Sequence, residues 1–210
     1  MEWSAIGDAL YAGRVDGVAA LVRKALEEGY SPPEVLNEGL LPGMDRVGRD
    51  FKADVLFLPE VLIAAKAMHA GMELLAPLLS ETDRAGLGTF LIGTVQGDLH
   101  DIGKNLVVMM LQGAGIEVID LGIDVSAKGF VEEIRKHRPQ IVGMSALLTT
   151  TMGQMKTTLQ TLEEAGLRDS IKVMIGGAPV TQEFADEIGA DGYGSDAVSA
   201  VELARAWLQS

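Results

Sequence analysis

From Thr89 onward the chain alternates five times between a short β-branched or apolar run and a segment of helical period. Nothing else in the sequence constrains the fold as strongly. Strands are expected at 89–95, 116–120, 140–145, 171–175 and, shortest, 191–194. Helices are expected between and after them, at about 103–113, 126–137, 151–165, 181–188 and 196–208. Connections of that length are not hairpins, so each helix carries the chain across to a parallel neighbour. The pattern predicts an α/β domain with a doubly wound, parallel, five-stranded sheet, although spacing leaves the strand order open.

In such a sheet every loop leaving a strand's carboxyl end lies on one edge, where α/β domains bind their ligands. The first of these loops is Gly97-Asp98-Leu99-His100-Asp101-Ile102-Gly103, a histidine flanked by two aspartates. An exposed imidazole offers a nitrogen to a metal, and a carboxylate two residues away can hold its other ring proton. The remaining loops bring a hydroxyl run (Ser145, Thr149, Thr150, Thr151) and the pair Gly176-Gly177, where backbone can approach something bulky. A neutral, hydroxyl-lined site is expected.

Residues 1–79 read as helix throughout. Ile6, Leu10, Val15, Val18, Leu21, Val22 and Leu26 give two short amphipathic helices broken near Gly13. Ser31-Pro32-Pro33-Glu34 opens a third, which turns Val35, Leu36, Leu40, Leu41, Met44 and Val47 inward. A fourth starts at Pro59-Glu60 and runs to about Leu79. Four short helices without a strand make a small bundle. The polar, glycine-bearing stretch 80–88 is expected to link this domain to a second one at 89–210.

Several function classes are disfavoured at once. A net charge of −13 repels nucleic acid and anionic membranes alike, and 5% aromatic residues leave little for base stacking. The absence of cysteine removes disulfides, thiolate zinc sites, iron–sulfur clusters and a thiol nucleophile. No basic start leads into a long apolar run and no stretch is apolar enough to span a bilayer, so a soluble cytoplasmic protein is expected. The loop is no phosphate loop: Gly97 to Gly103 has one residue too many, and Asn105 stands where a magnesium-binding hydroxyl belongs. The dinucleotide pattern G-x-G-x-x-G is missing after the first strand, and no nucleophile elbow exposes Ser145. His69 and His137 lie on expected helices and read as ordinary surface or half-buried residues.

Asp98-x-His100-x-x-Gly103, then Ser145-x-Leu147, then Gly176-Gly177, resembles the spaced signature of corrinoid-binding domains. The wider text GDLHDIGKN, VGMSALLTTTM and GGAPVT is similar to the corrinoid proteins of methyltransferase systems. GLLPGMDRVGRDF and FLPEVLIAAKAM resemble the helical cap beside that fold in cobalamin-dependent methionine synthase. The resemblance spans almost the whole chain and implies a four-helix cap followed by a flavodoxin-like corrinoid-binding domain. It further implies a cobamide bound with its own lower base displaced into a pocket beside the sheet. His100 would take the vacated axial place on cobalt, and Asp98 would bond its other nitrogen and fix the tautomer. Thr151 stands where methionine synthase has a serine completing that relay. Gly97, Leu99, Asp101, Ile102 and Gly103 would complete the binding loop, with Gly103 close to the cofactor tail. Ser145, Leu147 and Thr149 would border the displaced base, Gly176, Gly177 and Ala178 its channel, and Asp196-Ala197 the far end. In the cap, Phe51, Leu58 and Val61 match residues over the upper corrin face, with bundle core as the other reading, and Glu38 would touch the cofactor's edge.

The chain lacks a substrate barrel of its own. The resemblance therefore implies a methyl carrier rather than an enzyme by itself, served by a substrate-specific methyltransferase, an acceptor methyltransferase and a reductive activase. A corrinoid sensor or storage module is the alternative, but a sensor needs a basic DNA-reading helix that residues 1–79 do not show. The small subunit of a mutase shares the binding domain without this cap.

Overall fold

The computed structural model describes residues 2–79 and 88–209, so the expected linker at 80–88 falls, save for Gly88, outside the described residues. The chain forms two compact units: Met1–Leu87 with Met109–Ile116, and Gly88–Val108 with Glu117–Ser210.

The first unit is helical. Helix α1 (Trp3–Tyr11) buries Ile6, Ala9 and Leu10, and α2 (Val15–Glu27) buries Val18, Val22 and Ala25. Between them Gly13 adopts φ +65°, which ends the first helix where the sequence places the break. At Ser31 the expected cap is a full capping box: Ser31 N–H donates to Glu34 Oε2 at 2.8 Å, and Ser31 Oγ accepts from Glu34 N–H. The third expected helix is a composite. A short α3 (Pro32–Glu34) widens into a π-helical stretch, Val35–Leu40, before α4 (Leu41–Lys52). Pro42 has no N–H to give the carbonyl of Glu38 and its ring crowds that oxygen, so the preceding turns wind wider. Helix α4 approaches α1 closely, since a Cβ on Gly43 would lie 2.9 Å from Gly7 Cα. Arg46 bonds Asp8 at 2.9 Å and stacks 3.9 Å over the Tyr11 ring, while Tyr11 donates to Asp50 at 2.7 Å. Helix α5 (Leu58–Leu75) ends earlier than the expected Leu79 and is capped by Glu60, which accepts from Phe57 N–H at 2.7 Å.

The second unit is the parallel sheet. Its strands are β1 (Thr89–Thr94), β2 (Glu117–Asp120), β3 (Ile141–Ser145), β4 (Lys172–Gly176) and β5 (Gly192–Gly194). Helices α6 (Ile102–Gly113), α7 (Ala127–His137), α8 (Gly153–Glu164), α9 (Gln182–Ile188) and α10 (Ala197–Leu208) follow them in turn. The order is β2-β1-β3-β4-β5, all parallel, which is the flavodoxin-like winding. The register Leu91↔Val142↔Val173 aligns one face, and those residues with Met144 and Ile175 form a core against Phe130 and Ile134 of α7 and Met155 and Leu159 of α8. On the opposite face Phe90, Ile92 and Met174 look toward α6 and α10.

This order decides where a ligand can sit. β1 lies between β2 and β3, so the chain leaves β1 to one side and returns to the other, and the loops after β1 and β3 open into a crevice side by side.

Candidate functional site

Asp98 lies in the loop after β1 and is fully buried. Its carboxylate accepts hydrogen bonds from both sides of the crevice. Oδ2 takes Thr151 Oγ1 at 2.7 Å and the backbone N–H groups of Leu147 at 2.8 Å and Leu148 at 3.2 Å, all from the loop after β3. Oδ1 faces its own loop, accepting from His100 N–H at 3.1 Å and standing 2.7 Å from His100 Nδ1. Burial alone would push this carboxyl up. The bonds from Thr151, His100 and Leu147 outweigh it and hold Asp98 well below the usual carboxylate range.

An ionised Asp98 can only accept, so His100 must place its proton on Nδ1 and carry its lone pair on Nε2. The His100 side chain is 50% exposed, and no described residue bonds Nε2. A nitrogen donor is thereby fixed in one tautomer and aimed outward. Thr94, buried beneath, donates to the His100 carbonyl at 3.0 Å and secures the backbone that carries the ring.

Two groups that residue patterns did not single out brace the loop. Asp124, after β2, accepts from Gly97 N–H at 2.7 Å and donates its own N–H to the Asp98 carbonyl at 3.2 Å. It holds φ +55°, a conformation aspartate tolerates at some cost. The second is Lys104, whose side chain is only 1% exposed and whose ammonium reaches Asn105 Oδ1 at 2.8 Å and both oxygens of Asp120 at 2.7 and 2.6 Å. Asn105 in turn donates to Asp101 at 3.0 Å, so Asp101 serves the start of α6 rather than the imidazole. An aspartate in a turn and a lysine on a helix are too common for sequence to mark. Only the folded register shows what they meet.

Beside the loop a cavity of about 340 Å³ opens on the sheet face between α6 and α10. Small residues let its walls pack closely: a Cβ on Gly143 would lie 2.5 Å from Phe90 Cε1, and one on Gly194 3.2 Å from Ala200 Cβ. The expected hydroxyl lining is not what forms. Thr149 and Thr150 are exposed, Thr151 is spent on Asp98, and the walls are mainly apolar, because alternate strand residues on this face are Phe90, Ile92 and Met174.

The expected positions distribute as follows. Gly103, Ser145, Gly176, Gly177, Ala178, Asp196 and Ala197 line the cavity. Gly177 lets the loop after β4 pass close to that after β3, since a Cβ there would lie 1.8 Å from the Ala146 carbonyl, at φ +128°. Asp196 caps α10, accepting from Val198 and Ser199 N–H at 2.9 and 2.8 Å. Leu99, Ile102 and Leu147 are exposed around His100. In the helical unit Leu58 is exposed, Phe51 half-buried and Val61 fully buried, while Glu38 lies exposed on the π-helical stretch. Phe57, which no pattern singled out, exposes more of its side chain than Leu58. Among the described residues no group of three His, Asp or Glu gathers to hold a metal ion, and no helix is long and apolar enough to cross a membrane.

Residues 88–202 match the B12 binding domain family, and residues 4–76 match a second family of the same description. The chain is 47% identical over 193 residues to trimethylamine corrinoid protein 2 of Methanosarcina mazei, covering 91% of this chain and 88% of that one. It is 46% identical over 204 residues to a dimethylamine corrinoid protein of Methanosarcina barkeri, covering 97% and 95%. Among solved structures it superposes on a chain of the methanol:cobalamin methyltransferase complex of Methanosarcina barkeri with a TM-score of 0.87 and 34% identity, over 98% of this chain and 79% of that chain.

Proposed function

The chain belongs to the B12-binding family of corrinoid proteins, and on that premise we propose that it is a methyl carrier, working between a methyltransferase that loads it and one that unloads it. The observation that carries this reading is the outward Nε2 of His100, fixed by a buried carboxylate in a loop whose end, at Gly103, borders an apolar cavity.

The residues fit a corrinoid. One nitrogen donor suits a metal whose equatorial positions a macrocycle already fills. The cavity between α6 and α10 offers room for a displaced lower base. His100 would hold the cobalt, with Ser145, Gly176, Gly177 and Ala178 along the cofactor's tail. When bound, the corrinoid supplies a cobalt centre that accepts a methyl group from one partner and yields it to another.

The protein's own part is orientation and proton control. Asp98 keeps Nδ1 protonated, so Nε2 is ready to coordinate without a tautomer change. When Nε2 is disengaged it can take a proton, and the adjacent carboxylate then balances the imidazolium charge. Thr151 has one hydroxyl proton and two acceptors in reach, Asp98 Oδ2 at 2.7 Å and the Leu148 carbonyl at 2.9 Å. Donation to the charged oxygen is the stronger bond, and it couples the loop after β3 to the state of His100. Exposed Leu99, Ile102 and Leu147 would shed water from the lower corrin face.

A methyl carrier of this kind works in the cytoplasm beside a substrate-specific methyltransferase, an acceptor methyltransferase and a reductive activase. The test is the electron paramagnetic resonance spectrum of the protein loaded with a cobamide and reduced to Co(II). Nitrogen-15 labelling of histidine should turn a triplet superhyperfine pattern into a doublet, and His100→Ala should abolish it. A pattern indifferent to both changes would remove His100 from the metal and favour storage or sensing.

A further inference from the structure

We propose that Lys104 is a positioning residue for the metal-facing imidazole: its ammonium, locked to Asp120, pins the far foot of the loop that carries His100. This rests on the corrinoid-carrier reading and adds to it a residue outside the Asp98–His100 pair. The near foot of the loop is well held. Asp98 is buried and bound to the loop after β3, and Gly97 N–H donates to Asp124 in the turn after β2. Past Asp98 the packing stops. Leu99 is 67% and Ile102 79% exposed, the His100 ring is half exposed, and a Cβ on Gly103 would meet nothing within 4 Å. Thr94 holds the His100 carbonyl, but the first buried side chain after Asp98 is Lys104.

Its hold is directional. The ammonium donates to both Asp120 oxygens, at 2.7 and 2.6 Å, and to Asn105 Oδ1 at 2.8 Å, and Asn105 passes the grip to Asp101 at 3.0 Å. Asp120 closes β2, and its Oδ1 also accepts from Gly122 N–H at 2.9 Å. The turn from Asp120 to Asp124 therefore grips both feet of the loop, Gly97 through Asp124 and Lys104 through Asp120. An apolar side chain at 104 would fill the same space, and a buried charge pair is no gain in stability by itself. What the pair adds is position: a buried ammonium must keep its acceptors within hydrogen-bond reach, whereas apolar contacts slide. A nitrogen that has to meet a metal at one bond length needs that fixity as well as the tautomer set by Asp98. Groups that orient a metal ligand from behind are worth about tenfold to a hundredfold in metal affinity, and the low end is expected for one acting through the backbone.

The experiment compares the full-length wild type with Asp120→Asn, Lys104→Met and the double variant Lys104→Met/Asp120→Asn. Asp120 is not among the residues lining the cavity, so its replacement acts on the clamp alone. Amide hydrogen exchange of the apoprotein and equilibrium binding of cobinamide, a corrinoid without a lower base, are read beside urea denaturation. Each single variant leaves one member of the pair without its partner and loses stability. The double variant leaves neither charge behind, so its denaturation midpoint should return toward the wild type. A positioning role predicts that the loop does not recover with it. The His100 and Asn105 amides should exchange about tenfold faster than in the wild type while those of β3 stay protected, and cobinamide should bind about tenfold more weakly. Recovery of cobinamide affinity in the double variant overturns the proposal. So does exchange in the loop that matches the wild type, or protection lost equally from the loop and β3. Failure of the wild type to take up cobinamide overturns the carrier reading itself, and the role of Lys104 falls with it.

Discussion

Replacing Asp98 by asparagine keeps the shape of the side chain and reverses the hydrogen-bonding logic of the site. The wild-type carboxylate accepts five hydrogen bonds, three on Oδ2 and two on Oδ1. Asparagine has one oxygen. With that oxygen facing Leu147, Leu148 and Thr151, its amide hydrogens point at His100 N–H and Nδ1, where two donors already stand. The ring escapes by moving its proton to Nε2 and accepting at Nδ1, but the backbone N–H of His100 has no such option. Leaving that amide against a donor costs about 2 kcal/mol. Loss of charge assistance in the three bonds to Oδ2 adds about 1 kcal/mol more. A total of about 3 kcal/mol corresponds to a fall in Tm of about 10 °C in a chain of this size. The specific signature is the tautomer. Nitrogen-15 spectra of labelled apoprotein at alkaline pH should show a protonated Nδ1 in the wild type and a protonated Nε2 in Asp98→Asn, with corrinoid affinity falling accordingly. An unchanged tautomer, or stability within about 0.5 kcal/mol of wild type, the usual scatter of innocuous substitutions, would refute the reasoning.

Because Asp98 titrates below its ordinary value of 3.8, its contribution is complete above that pH and drains away only as the pH falls further toward its folded value; urea titrations of wild type and Asp98→Asn should stay equally separated from neutral pH down to about 4 and converge below it. The Lys104–Asp120 pair is unevenly buried, 1% against 34% exposed, so Asp120→Ala, which strands the ammonium, should cost about 3–5 kcal/mol, whereas Lys104→Met leaves a carboxylate that water can reach and should cost about 1–2 kcal/mol in the same denaturation assay. At Asp124, Asn should preserve protection of the Gly97 amide from hydrogen exchange, and Ala should lose it; Gly should lose it too yet remain about 1 kcal/mol more stable than Ala, because it relaxes the positive φ.

What sequence alone determined was whatever depends on neighbours along the chain. Strand and helix periods placed every element of the α/β unit within two residues of its observed ends, since burial of alternate or every third and fourth side chain is written locally. The cap at Ser31 and the contact between Asp98 and His100 were legible for the same reason, both spanning three residues or fewer. Periodicity could not reveal the π-helical stretch, which keeps its apolar residues inward while Pro42 changes how the backbone closes its bonds. Tertiary structure decided the rest. The strand order brought Leu147, Leu148 and Thr151 across about fifty positions onto one carboxylate oxygen. Placing β1 between β2 and β3 also gave Asp124 its hold on Gly97 and Lys104 its partner in Asp120. The cavity is likewise a property of the assembled face. Residues of β1, β3, β4, β5, α6 and α10 line it, and these segments meet only once the chain is folded.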